Sequence, residues 1–318
     1  MKKSIPSKFF LFAGLLAILA CGSLHAQDTA AQRQVASDES NRREVNDQAN
    51  AFIRANQTGY ADSSPGDSDL GEQLLLTRKE KYRPFQAYAN FNEYYTNNAA
   101  LSQHNMQSDF LMVPQFGLTY TPQLANNLYA ELTAQTQLFR YARNSALNFN
   151  SFDAGAGLIY VVRQLGDLSF FGRYHSTLLT NPDVNSLTYS DQTLRFGVQK
   201  PFTLSRAHYV YVGSSAEVII AGEPQYALKN DFGVFAGYQV ALTRQLTGSF
   251  YYRISLFNYV QGGRDDLNQT ISAGLSWNIT NWFAVNAVAS FAFNSSNTDN
   301  DSYWAFMSGA GVSGQLKF

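Results

Sequence analysis

Cysteine is almost absent, with Cys21 the only one among 318 residues. A chain with a single thiol cannot cross-link itself, and it offers no thiolate cluster for a metal. Charge is scarce as well. Asp, Glu, Lys and Arg make up 15% of the chain, where a soluble domain carries about a quarter. The net charge is −1 and no concentrated basic face is evident, so nucleic acid is excluded as a partner. Long hydrophobic runs are also missing. The one continuous apolar stretch, Phe9 to Ala20, is too short to cross a bilayer as a helix, and a mean hydropathy of −0.24 is too polar for a bundle of membrane helices. No cofactor motif is present.

The start of the chain reads as a secretory signal: Lys2, Lys3 and Lys8 precede the apolar stretch. Two processing routes compete. Leu24-His25-Ala26 leaves a small residue before a cut at Gln27, whereas Ile18-Leu19-Ala20-Cys21 resembles a lipobox with Cys21 lipidated. The first is preferred, because a small residue ordinarily precedes a signal cut. It leaves a mature chain without any thiol, and loss of the three lysines takes the net charge from −1 to −4.

From Gln27 to Arg83 the composition shifts to 8 Lys/Arg and 10 Asp/Glu with few aromatics. Such a segment cannot bury a core of its own. Glu44 to Ala55 could form a short amphipathic helix, and the stretch around Ser63-Ser64-Pro65-Gly66 has the composition of a linker. The preferred reading is a solvated, mostly disordered tether. A segment that docks on or plugs something stands beside it.

From Pro84 to the last residue the pattern has period two, which marks strands with one apolar and one polar face. In Phe283 to Phe293 the odd positions are Phe283, Val285, Ala287, Ala289, Phe291 and Phe293. In Leu246 to Leu256 the even positions are Leu246, Gly248, Phe250, Tyr252, Ile254 and Leu256. Twelve such segments fall near 84–96, 108–120, 128–141, 151–163, 167–177, 188–202, 208–220, 230–242, 246–257, 267–279, 282–293 and 302–318. Short and long connections alternate between them, giving five tight turns on one side and six longer polar loops on the other. That arrangement predicts an all-β, up-and-down antiparallel barrel with both ends on the short-turn side. A soluble barrel would turn its apolar faces inward around a large oily cavity. In lipid the faces invert, and closure leaves no backbone edge unpaired. The leader, the long strands and the asymmetric loops favour the membrane.

Here the chain resembles the bacterial outer-membrane β-barrel superfamily, which is porin-like, over residues 84–318. The sharpest element is the last strand, where Gly309-Ala310-Gly311 leads into Val312, Gly314, Leu316 and a terminal Phe318, similar to the assembly signal such proteins end with. The resemblance implies a cell with two membranes and a location in the outer one. It implies insertion by the barrel-assembly machinery, and contact with outer-membrane lipid and lipopolysaccharide. The loops would be extracellular and residues 27–83 periplasmic. No cargo is implied, because the fold hosts many functions.

Placing the apolar sets outward sends Glu131, Asp153, Arg163, Arg173, His175, Arg195, Glu217, Asp231 and Arg253 into the lumen. Tyr88, Asn90, Asn92, Gln135, Gln137, Gln199, Gln239 and Asn286 accompany them. Facing lipid near the midplane, each Arg or Lys would cost about 2–4 kcal/mol. These residues either cross-link the interior as ion pairs or line a polar pore whose arginines select an anionic or sugar-like solute. Strand two is an exception: Asp109 to Phe116 is apolar on both faces near its start and contains Pro114, which cannot donate to a ladder. A bulge, a weakened seam or a failure of the register is expected there.

Enzymatic readings are weak. His175 and Ser176 are neighbours on a strand and face opposite ways, and the His-x-Ser-Asn pattern of barrel lipases is absent, since Ser176, Thr177 and Leu178 follow His175. The loop 297–301 lacks the turn glycine and closing Glu of a calcium loop. The sequence therefore predicts a passive porin-like channel for small polar solutes. The alternative is a closed structural barrel that binds through its loops.

Overall fold

A computed structural model describes residues 29–43, 82–205, 207–298 and 300–318. The signal segment, Cys21 and the expected helix at 44–55 lie outside the described residues. Alternation of apolar and polar side chains produces the strands the pattern calls for: β1 (Phe85–Thr96), β2 (Asp109–Tyr120), β4 (Leu128–Tyr141), β5 (Phe149–Val162), β6 (Leu168–Thr180) and β7 (Leu187–Thr203). β8 (His208–Glu223), β9 (Lys229–Ala241), β10 (Leu246–Tyr259), β11 (Asp265–Asn278), β12 (Phe283–Ser296) and β13 (Tyr303–Lys317) complete the series. A three-residue strand, β3 (Gln123–Ala125), sits in the turn between β2 and β4.

Each long strand pairs antiparallel with the next. β1 meets β13, and β2 pairs with β4 across the turn that holds β3, which closes the wall into a twelve-stranded barrel. The two ends of the barrel chain lock together: Phe85 and Phe318 exchange backbone bonds of 3.0 and 3.1 Å, and their rings stack 5.7 Å apart. No backbone edge is left for lipid to meet.

The outer surface is apolar. Phe91, Leu118, Val234, Phe250, Trp277 and Phe291 are all exposed on it. Charged residues break the pattern only near its rims: Glu93, Arg140, Glu223 and Asp265 toward the loop end and Lys200 toward the short-turn end. Arg140 folds its guanidinium onto the carbonyls of Phe139 and Phe149 and onto Asn150. Near the interface an outward charge costs only about 0–1 kcal/mol.

In β2 the register holds. β1 pairs with every residue from Asp109 to Tyr120, whereas β4 leaves Val113 and Pro114 unpaired and resumes in the same register at Gln115. The seam is interrupted without a bulge. A bulge does occur elsewhere: Gln192 and Thr193 of β7 oppose Ala221 and Ile219, which leaves Ile220 of β8 as an extra residue.

Residues 29–43 form a helix, α1. It lies inside the barrel, with none of its side chains classed as exposed. Val35 and Ala36 join an apolar cluster with Tyr94, Leu111, Val113, Phe139 and Phe149 of the inner wall. That cluster accounts for the two-faced apolar character of β2: Leu111 and Val113 point inward and are fully buried against neighbours that include α1.

Candidate functional site

The inner wall and α1 together make the candidate site. Inward positions alternate large and small between adjacent strands. The Tyr211 ring covers Gly237, Phe171 covers Gly197 and Tyr88 covers Gly117, each lying where a Cβ would stand. Tyr209, Tyr211, Phe235 and Tyr251 then follow one another around the wall at ring separations of 5.9–6.3 Å.

Strand alternation also sets the charged groups. Glu131, Arg173, Arg195, Glu217 and Arg253 all occupy inward positions. Arg173 Nε stands 2.6 Å from Glu131 Oε2, and Arg253 Nη2 stands 3.1 Å from Asp231 Oδ1. Arg195 lies opposite Arg173 and Glu217 in the strand registers but makes no ion pair among the described residues. His175 is also inward, its ring over Gly155, while Tyr174 and Ser176 face outward. Arg163 differs from expectation. β5 ends at Val162, and Arg163 opens a 3-10 turn closed by Gly166 at φ +69°. The residue is exposed at the short-turn end and is not part of the lumen wall. At the loop end, Asp301 is engaged by Arg264 at 2.9 Å and by the Thr298 hydroxyl at 2.7 Å.

Polar contacts hold α1 along its length. Near its start, Gln32 donates to the Leu147 carbonyl in a long loop at 3.5 Å. Arg33 Nε meets Asp191 Oδ2 at 3.0 Å, and its Nη2 reaches Glu217 Oε1 at 3.4 Å. Lys229 donates to the Gln34 side chain and stands 3.4 Å from the centre of the Phe257 ring. Midway, Glu39 accepts from Asn92 at 2.9 Å, from Tyr94 at 3.0 Å and from Arg42 at 3.0 Å. At the end, Arg43 donates to Gln135 at 2.9 Å and to the Tyr88 hydroxyl, and Gln135 in turn donates to Ser40 at 3.2 Å. The two basic residues that close the helix also suit its negative pole. α1 thus descends from the loop end into the lumen, crossing between opposite parts of the wall. Beyond its first turn a vestibule of about 600 Å³ opens at the loop end, bordered by Ala30, Ala31, Gln34, Tyr226, Tyr259 and Arg264.

Sequence reasoning found the inward wall residues but not Asp191, Lys229, Arg33 or Glu39, which organise the site. Asp191 and Lys229 fall on inward positions of β7 and β9 and were legible from the same alternation.

No protein-family model matches the chain, and no curated protein matches it. Solved structures do. The COG4313 outer membrane channel from Pseudomonas putida F1 matches over 80% of this chain and 100% of its own, at 10% identity and a TM-score of 0.52. A bacterial polysaccharide outer membrane secretin matches over 74% of this chain and 100% of its own, at 8% identity and a TM-score of 0.45. The NanC porin matches over 72% and 100%, at 9% identity and a TM-score of 0.41. The first of these likenesses shows the fold: the chain folds as a closed antiparallel β-barrel similar to that channel's.

Proposed function

We propose that the protein is a porin-like channel for small polar solutes in the outer membrane, and that α1 is its plug. The observation that carries the reading is the way α1 is held. Its main attachments are side-chain ion pairs and hydrogen bonds to a polar wall, from Arg33 to Asp191 and from Glu39 to Asn92 and Tyr94. Such contacts can be exchanged for water one by one, unlike a continuous apolar core. On this reading the long loops face the exterior, the short turns face the periplasm, and the last strand through Gly314, Leu316 and Phe318 addresses the assembly machinery. The pairs Arg173–Glu131 and Arg253–Asp231 brace the wall, and Arg195 is a wall cation without an ion pair among the described residues.

One observation favours the competing reading of a permanently closed barrel: the apolar contact of Val35 and Ala36 with Leu111, Val113 and Phe139. Single-channel recording of the mature chain in a planar bilayer separates the two. The plug reading predicts rare openings in the unmodified protein, and roughly tenfold more open time in Glu39→Ala. That substitution strips partners from Asn92, Tyr94 and Arg42, for which about 1.4 kcal/mol is a modest estimate. Silence in both proteins, with folded barrels confirmed by their gel shift on heating, would refute it.

A further inference from the structure

The guanidinium of Arg33 shows what the wall beside it binds. Its Nε meets Asp191 and its Nη2 meets Glu217, while Cζ stands 5.9 Å from the centre of the Tyr189 ring. Arg33 is not what positions these groups. Asp191 is 1% exposed, accepts from the Tyr189 hydroxyl at 2.7 Å and accepts from the backbone N–H of Thr177 at 3.2 Å. The Thr177 hydroxyl donates at 2.9 Å to Asp153, which fixes a third carboxylate behind the first. The bulge at Ile220 falls between the register positions of Asp191 and Glu217 and offsets β8 against β7 there. All these groups belong to the wall, so the site remains when α1 leaves. The neighbouring wall sets Arg195 opposite Glu217 and Lys229 nearby, while Arg253 is taken up by Asp231 on the next strand.

The geometry points to a solute subsite for small organic cations carrying a guanidinium group, a site that Arg33 fills while α1 is seated. A planar fork of N–H donors matches two separated carboxylates and an aromatic ring, which a compact ammonium or a neutral sugar does less well. The inference rests on the channel reading and names its solute class. The vestibule at the loop end leads to the first turns of α1, so a solute arriving there meets the helix close to Arg33. Because solute and plug compete for one site, the recognised group also loosens the plug.

The test uses the mature full-length chain with Arg33→Ala, and with Arg33→Met as a second variant that keeps the bulk of the stem should the first fail to fold. Calorimetric titration in detergent compares ethylguanidinium with its neutral analogue N-ethylurea. The expected result is saturable binding of ethylguanidinium alone, weakened at least tenfold when Asp191→Asn is added. Equal response to the two probes, no response to either, or indifference to Asp191→Asn would overturn the inference. Bilayer recording of the same variants separates it from its premise. Conduction without ethylguanidinium binding sinks the solute class and leaves the channel standing. Binding that depends on Asp191 in a barrel that never conducts supports the site and removes the channel.

Discussion

Gly237 and Tyr211 show how single positions set the bore of this wall. The Tyr211 ring occupies the space that any side chain at 237 would need, so the two residues behave as one unit of fixed volume. Gly237→Leu should therefore destabilise the barrel by about 1–3 kcal/mol through overpacking. A lower urea midpoint in lipid vesicles would register it, with partial recovery in the double variant that adds Tyr211→Ser. An unchanged midpoint would show that the ring simply swings aside. At this scale the sequence was informative wherever alternation alone decides orientation, as for Glu131, Arg173, Glu217 and Arg253. It misplaced Arg163 because the end of β5 is set by a left-handed Gly166, a feature of turn geometry that apolar periodicity does not report.

Among the elements, the strands were legible and the helix was not. Period two marked every long strand to within a few residues, since lipid outside and polar contacts inside enforce it along the whole length. α1 carries little of the apolar stripe that usually reveals a helix: its apolar contacts are Val35 and Ala36, with alanines before them, and its hold is polar. The hint lay elsewhere, in the inward Leu111 and Val113 of β2, which needed an apolar partner inside the barrel. The bulge at Ile220 left no mark in composition. The seam between β2 and β4 makes its own prediction. Because β4 finds no ladder partner at Val113 and Pro114, the amide of Leu138, which faces Pro114, should exchange with deuterium faster than those in the middle of β10 and β11. Equal protection across both seams would mean that the missing pairs cost nothing.

Seen whole, the molecule combines a wall that needs lipid with an interior that holds its own N-terminal helix. α1 begins at the loop end, whereas the barrel chain begins at the turn end, where the Tyr82 hydroxyl donates to the Thr121 carbonyl. α1 is therefore tied to the wall both covalently, through residues 44–81, and by its ion pairs. On the channel reading, function depends on whether the second attachment can open while the first persists. The most direct measurement is conductance of the mature chain carrying Ser40→Cys and Gln135→Cys, two positions already in side-chain contact at 3.2 Å. Cys21 is the chain's only native cysteine and is lost if the chain is cut before Gln27, so in that mature form the two new thiols have only each other to be joined to, by oxidation or by a short bridging reagent. The plug account predicts a silent barrel when they are joined, and openings that return on reduction. Identical conductance in the joined and reduced states would contradict it, because α1 would then not be the gate.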